Sequence, residues 1–334
     1  GLEVAGARSV MVDNVIRTAF ITSQQHLSPQ QPIKVAVTSV GGYGRGTLNP
    51  GSDIDLLFLL PVNSTKISAI TKELVQEILY LLWDTGFKVG HSSRSINECI
   101  DEAKSEQQSK TALMDTRLIA GDSSLVEDFI LRYQRDCIQK NPDAFFELRR
   151  QDIRSRHSKY SHTVFLQEPH VKESCGGLRD FHNIIWVEQV KRGSDDLESL
   201  VKERILTKSA YKELVAAYDF VHRVRNELHY HTGSSTDILT LRLQGIVATN
   251  FQYPEKSILR RCESFMRDYY RHTRAIYHLT SSLMEIFQIE INENDGAKGW
   301  LKFLPQAQKK RIELDGFIIR DGRIYPKNND IFEE

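Results

Sequence analysis

Apolar positions in the first hundred residues alternate between two periods. Residues 10–26 carry Val10, Val15, Ile16 and Phe20 at loosely helical spacing, and a β-branched run over Lys34–Val40 reads as a strand. Asp53–Leu60 is nearly continuous in apolar side chains after its two acids and stops at Pro61, which predicts a second strand. Residues 66–84 place Ile67, Ile70, Leu74, Ile78 and Leu81 on one helical face, with Gly86 as the stop. Phe87–Ser95 is a third strand candidate. Strand, turn, strand, helix and strand in this order predict a small α/β unit.

Beyond residue 97 the period becomes helical, over 105–119, 124–139, 143–158, 179–192, 208–232 and 255–290. The last stretch repeats Ile258, Cys262, Phe265, Tyr269, Ile276, Leu279 and Leu283, a stripe expected of a core helix. Residues 160–178 interrupt the helices with Pro, Gly and Ser, and Gly193–Asp196 reads as a loop. Phe317–Tyr325 has the pattern of a hairpin with an Asp321-Gly322 turn. The expected architecture is an α/β unit over 1–97, an all-α domain over 98–310, and a C-terminal hairpin and linker over 311–334.

Composition narrows the partners. Lys and Arg number 44, Asp and Glu 44, which argues against general nucleic-acid binding because that calls for a basic footprint. Cys99, Cys137, Cys175 and Cys262 are far apart and form no CxxC, so a zinc ribbon is not expected and a reduced, cytoplasmic setting is. No apolar run is long enough for a membrane span, and Gly1-Leu2-Glu3-Val4-Ala5 lacks the regions of a signal peptide. The missing initiator Met suggests a trimmed chain, with processing as the other explanation.

The chemistry concentrates between residues 38 and 60. Asp53 and Asp55 lie two apart on a strand and project to one face, while Ile54 and Leu56 turn toward the core. Two such carboxylates repel unless a cation lies between them, and hard oxygen ligands suit Mg²⁺, which completes its shell with water and phosphates. Just upstream, Gly41 and Gly42 let backbone N–H groups approach a polyphosphate, with Gly44 and Gly46 serving conformation. Ser39 could add a hydroxyl, and Arg45 is a fixed charge near the same turn. The competing reading of the acids is a solvated strand start, and of the glycines a plain tight turn.

This stretch resembles the nucleotidyltransferase superfamily that shares the DNA polymerase β palm, whose pattern is Gly-Gly or Gly-Ser, a spacer, and Asp-x-Asp. With its flanks, Gly41-Gly42-Tyr43-Gly44-Arg45-Gly46 and Ser52-Asp53-Ile54-Asp55-Leu56-Leu57, it looks like the bacterial PII uridylyltransferase/uridylyl-removing family. Three further blocks agree in order: Val89–Arg94, Glu168–Asp180 and Asn328–Glu334. The resemblance implies a polymerase-β-like core followed by a helical domain, with one or two Mg²⁺ bound by Asp53 and Asp55. It implies UTP as donor and a tyrosine of a trimeric PII signalling protein as acceptor, with neither nucleic acid nor membrane as partner. Members also carry an HD phosphohydrolase domain and two ACT domains. No His-Asp dipeptide occurs here, so the uridylyl-removing site and the sensing modules are not expected in this chain.

The family's third carboxylate has no counterpart between Val89 and Ile96; His91 is a candidate substitute base, against the plainer reading of a satisfied core or surface histidine, and Arg94 a candidate nucleotide contact on that strand. In the second block, Lys172 and Arg179 are expected to meet phosphate, and Glu173 or Asp180 to serve as metal ligand or base. Asp180 also has a bland explanation, as an acid in the first turn of a helix. Cys175 receives no role. His229 and His231, two apart on a helix, make a poor chelate. The rival functions are an adenylyltransferase acting on glutamine synthetase, a stand-alone nucleotidyltransferase with another acceptor, and a catalytically idle protein-binding module.

Overall fold

A computed structural model describes residues 1–194 and 196–296 and the strand residues 312–314, 317–320 and 323–326; side chains are described to residue 291. The chain divides into two compact units, Gly1–Glu285 and Ile286–Glu334.

The first unit opens with α1 (Leu2–Leu27), β1 (Ala36–Ser39), the single turn α2 (Gly41–Gly44), β2 (Ile54–Leu60), α3 (Ala69–Asp84) and β3 (Val89–Ser95). There follow α4 (Ile96–Ser105), α5 (Gln107–Met114), β4 (Arg117–Gly121) and α6 (Ser123–Tyr133), which runs into a π-helical turn over Gln134–Ile138. The strands form one sheet in the order β3-β2-β1-β4. β1 is antiparallel to both β2 and β4, and β2 is parallel to β3.

β2 shows why this sheet is stable. Ile54, Leu56, Phe58 and Leu60 pack with α1 and α3 on one side, and Leu57 and Leu59 pack with α4 and α6 on the other. All six are at most 2 % exposed. Burial at this depth contributes about 1.5–3 kcal/mol per large apolar side chain. Asp55 shares the face of Leu57 and Leu59 at the open end of the strand. α3 starts on the Ser68 hydroxyl, which accepts from Thr71 N, and stops at Gly86, whose φ of +81° is the left-handed value glycine tolerates.

The expected boundary at 97 is corrected by the sheet. Residues 105–119 are not one helix: α5 ends at Met114 and β4 pairs with β1. Val126, Phe129, Tyr133 and Ile138 then pack under Ala36 and Leu57, so the α/β layer extends to about Ile138.

The helical part comprises α7 (Pro142–Lys159), α8 (Leu178–Arg192), α9 (Glu198–Lys202), α10 (Lys208–Thr232), α11 (Leu241–Asn250) and α12 (Ile258–Gly296). Three of these, α7, α8 and α10, sit within two residues of the stretches expected from periodicity; α9 and α11 were not anticipated, and α12 runs from Ile258 to Gly296 where 255–290 was expected. No helix among the described residues is long and apolar enough to cross a membrane. In the second unit, β5 (Ile312–Leu314), β6 (Phe317–Arg320) and β7 (Arg323–Pro326) form an antiparallel sheet in that order. The Asp321-Gly322 turn and the Asn328–Glu334 block lie outside the described residues.

Candidate active site

Asp53 and Asp55 stand at the mouth of a cavity of about 990 Å³. A turn closed by Ser52 N donating to Asn49 O (3.0 Å) delivers Asp53, and Ile54 N then donates to Lys88 O (2.8 Å) to begin the ladder with β3. Asp55 faces Gly90 in the register. A Cβ at Gly90 would lie 2.8 Å from Asp55 Oδ1, so the missing side chain leaves the carboxylate its place. Among the described residues, no basic side chain forms an ion pair with either acid. Burial, and then the charge of Asp53, push the Asp55 carboxyl above its ordinary range, with Lys172 offsetting in part.

Two like-charged oxygen donors on one strand face fit a divalent cation. Among the described residues, no cluster of three or more His, Cys, Asp or Glu could hold a metal. Two carboxylates alone are a donor set that hard divalent cations complete with water and phosphate.

The glycine turn is locked from below. Val40 N donates to Asp55 O (3.2 Å), joining the turn to the acid strand. Gly41 has φ +58°, and the N–H groups of Gly41–Tyr43 begin a helical turn with no intrahelical acceptor. Gly44 N, Arg45 N and Thr47 N donate back to Val40, Gly41 and Gly42 carbonyls. Tyr43, 1 % exposed, donates to Asp13 Oδ1 (2.7 Å), and Asp13 accepts two bonds from Arg117 (2.6 and 2.9 Å). Arg117 Nε also donates to Gly44 O (3.3 Å), so α1 and β4 both hold the turn.

The wall opposite is basic. Arg45 pairs with Asp115, which also accepts from Trp186 Nε1 (3.3 Å). The guanidinium carbons of Arg45, Arg149 and Arg179 lie 5.7, 5.9 and 5.5 Å from the Trp186 ring centroid. Three like charges around one indole, all lining the cavity, favour a polyanion there. Lys172 also lines the cavity, and burial together with Arg179 and Arg225 push its ammonium below the ordinary lysine value. The cavity-lining arginines are held by acids, Arg179 by Glu173 (3.5 Å) and Arg225 by Asp237 (2.7 Å) among them, whereas Lys172 has no ion-pair partner among the described residues.

Of the residues expected from sequence, Asp53, Asp55, Gly41, Gly42, Arg45, Lys172, Glu173 and Arg179 line one cavity. Four do not. Ser39 is fully buried and its hydroxyl donates to Arg117 O (3.3 Å). Arg94 pairs with Glu102 (3.2 Å). His91 packs on Trp83, with ring centroids 5.9 Å apart. Asp180 is 2 % exposed and held by Arg156, by His157 Nε2 (2.9 Å) and by Gly176 N (2.7 Å), which uses its acceptor capacity inside the protein. Sequence reasoning missed Asp115, Arg149, Arg156, Trp186 and Arg225, which also line the cavity. The signal available was spacing: Arg149, Asp152 and Arg156 follow i, i+3, i+7 on α7, and Arg179 and Trp186 are seven apart on α8.

Residues 22–119 match the family described as nucleotidyltransferase domain, and residues 144–284 match that described as GlnD PII-uridylyltransferase. The chain is 33% identical over its whole length to the bifunctional uridylyltransferase/uridylyl-removing enzyme of Caulobacter vibrioides, covering 36% of that protein. It is 31% identical, over 97% of its length, to the protein of that name from Phenylobacterium zucineum, and 30% identical, over 96%, to that from Bradyrhizobium diazoefficiens, covering 35% of each. It thus spans about a third of the length of these curated relatives. Residues 22–119 thus carry a nucleotidyltransferase domain that holds the glycine turn and the Asp-x-Asp strand, and the helical wall lies in the segment that matches GlnD PII-uridylyltransferase.

Proposed function

We propose that this chain transfers UMP from UTP to a tyrosine hydroxyl of a PII signalling protein, with Mg²⁺ held by Asp53 and Asp55, as a cytoplasmic enzyme. The carrying observation is the pair of acids left without a basic partner at the mouth of a cavity that also holds the glycine turn and a basic wall. A structural role for the acids calls for a buried Arg or Lys against them, and none forms an ion pair there among the described residues.

In this reading the N–H groups of Gly41 and Gly42 bind the β- and γ-phosphates, and Arg45 and Arg179 balance their charge. Bound Mg²⁺ would supply Lewis-acid neutralisation of the transferring phosphoryl group and of the leaving oxygen. Lys172 contributes a second positive charge beside Asp55. The acceptor's phenolic proton, with an ordinary pKa near ~10, must leave as the bond forms. Glu173 is the proposed recipient, because of Glu173, Asp180 and His91 it alone lines the cavity. The remaining acceleration comes from alignment of donor and acceptor.

The test is incubation of the chain and Mg²⁺ with labelled UTP, ATP, GTP or CTP and PII. UMP transfer is expected, lowered more than about a hundredfold in Asp55→Asn with the fold intact, since loss of a direct ligand exceeds the effect of an outer-shell change. Transfer from ATP alone, to glutamine synthetase, would overturn the choice of donor and acceptor; wild-type turnover in Asp55→Asn would overturn the metal assignment.

A further inference from the structure

The turn that delivers Asp53 is gripped by one face of a helix that lies some 175 positions later in the chain. Asn49, fully buried, donates from Nδ2 to Asn226 Oδ1 (2.6 Å) and accepts at Oδ1 from Arg225 Nη1 (2.7 Å). Gly51 N donates to His229 Nδ1 at 3.0 Å. A Cβ at Gly51 would lie 2.4 Å from Ser234 O, so this contact exists only because position 51 has no side chain. Arg225, Asn226 and His229 share a face of α10.

Asp237 sits behind them. It takes two bonds from Arg225 (2.7 and 3.0 Å) and one from His229 Nε2 (3.1 Å). Its backbone carbonyl accepts from Val171 N (2.8 Å), and the next residue is Lys172. The acid side and the basic side of the cavity therefore meet at one aspartate. His229 must accept at Nδ1 and donate at Nε2, so its two partners select one tautomer and fix the ring. A buried polar network with its groups satisfied sets direction as well as distance, which apolar packing does not.

We propose that His229, backed by Asp237, is a positioning residue that sets the affinity of the Asp53–Asp55 pair for a divalent cation. This rests on the reading of those two acids as cation ligands. His229 touches neither reacting atoms nor metal. It holds the backbone two residues before Asp53, as outer-shell partners hold metal ligands elsewhere.

The experiment measures Mn²⁺ binding to the full chain by electron paramagnetic resonance, beside thermal unfolding, for wild type, His229→Phe, His229→Gln and Asp237→Asn. His229→Phe removes both hydrogen bonds and is expected to weaken Mn²⁺ binding about ten- to hundredfold. His229→Gln, whose amide can accept from Gly51 and donate to Asp237, is expected to recover most of that loss. Recovery of Mn²⁺ affinity by the amide is a signature that general destabilisation would not give. Asp237→Asn keeps the shape of its site and is expected to lose affinity in the same direction, which covers the case of an unfolded His229→Phe. Wild-type Mn²⁺ affinity in a folded His229→Phe or Asp237→Asn overturns the proposal. A wild-type chain that binds no Mn²⁺ overturns the acid-pair reading as well, and Mn²⁺ binding without transfer to PII overturns only the proposed acceptor chemistry.

Discussion

Gly90 faces Asp55 across the parallel β2–β3 ladder, and a Cβ at position 90 would stand 2.8 Å from Asp55 Oδ1. Position 90 is solvent-exposed, so neither packing nor a turn requires glycine there. Gly90→Ala is expected to swing the Asp55 carboxylate aside and lower Mn²⁺ affinity about tenfold or more, in the range of outer-shell changes at metal sites. The melting temperature should hardly move. Unchanged Mn²⁺ binding in this variant would show that Asp55 tolerates displacement.

Asp180 belongs to the interior. Arg156 and His157 both contact its carboxylate, and neither charge of the Arg156 pair is more than 8% exposed. Removing one member of a buried pair leaves the other uncompensated and costs about 3–5 kcal/mol. Asp180→Asn is therefore expected to lower the urea midpoint sharply, while the folded fraction binds Mn²⁺ as wild type does. A variant with normal stability and lost activity would instead place Asp180 in the chemistry.

Two glycines of the turn should respond differently to alanine. A Cβ at Gly44 would fall 1.8 Å from Asp115 O, whereas at Gly46, with φ +72°, it meets nothing within 4 Å. Gly44→Ala forces the backbone of the residue that holds Arg45 to move, at the upper end of the ~1–3 kcal/mol of overpacking or beyond. Gly46→Ala strains only its own backbone, on the order of 1 kcal/mol. Chemical denaturation of the two variants gives the ranking, and equal losses would contradict the close approach of Gly44 to Asp115.

Glu98 gives the fold a defined acid sensitivity. Against a burial penalty, hydrogen bonds from Ser64 and Ser95 lower its carboxyl from 4.5 to about 2. A depressed acid stabilises the fold fully above its ordinary value and loses that contribution as pH falls through the folded one. Glu98→Gln should therefore melt below wild type at neutral pH, and the gap should close between pH 4.5 and about 2. A gap constant over that window would mean that the charge of Glu98 does not support α4.

What could be read from sequence was local. Asp53, Asp55, Gly41 and Gly42 follow from a two-residue strand period and a glycine pair, and the long helices follow from 3.6-residue spacing. The grip of α10 on Gly51 was illegible because His229 lies 178 residues away and Gly51 offers only a backbone N–H. His229 looked like half of a failed chelate; its partner is an amide hydrogen. β4 was hidden because Leu118 follows Met114 at helical spacing, with Asp115-Thr116-Arg117 and no Gly or Pro between them. Asp180 was ambiguous because a first-turn acid and a metal ligand look alike until burial is known.

The late arrival of β4 bears on how such chains can be cut and recombined. A fragment ending at residue 97 would leave β1 with a bare edge of unpaired amides and carbonyls, an invitation to self-association. A chimaera that exchanges the helical half between relatives should place its joint after Ile138, where the layer beneath the sheet is complete.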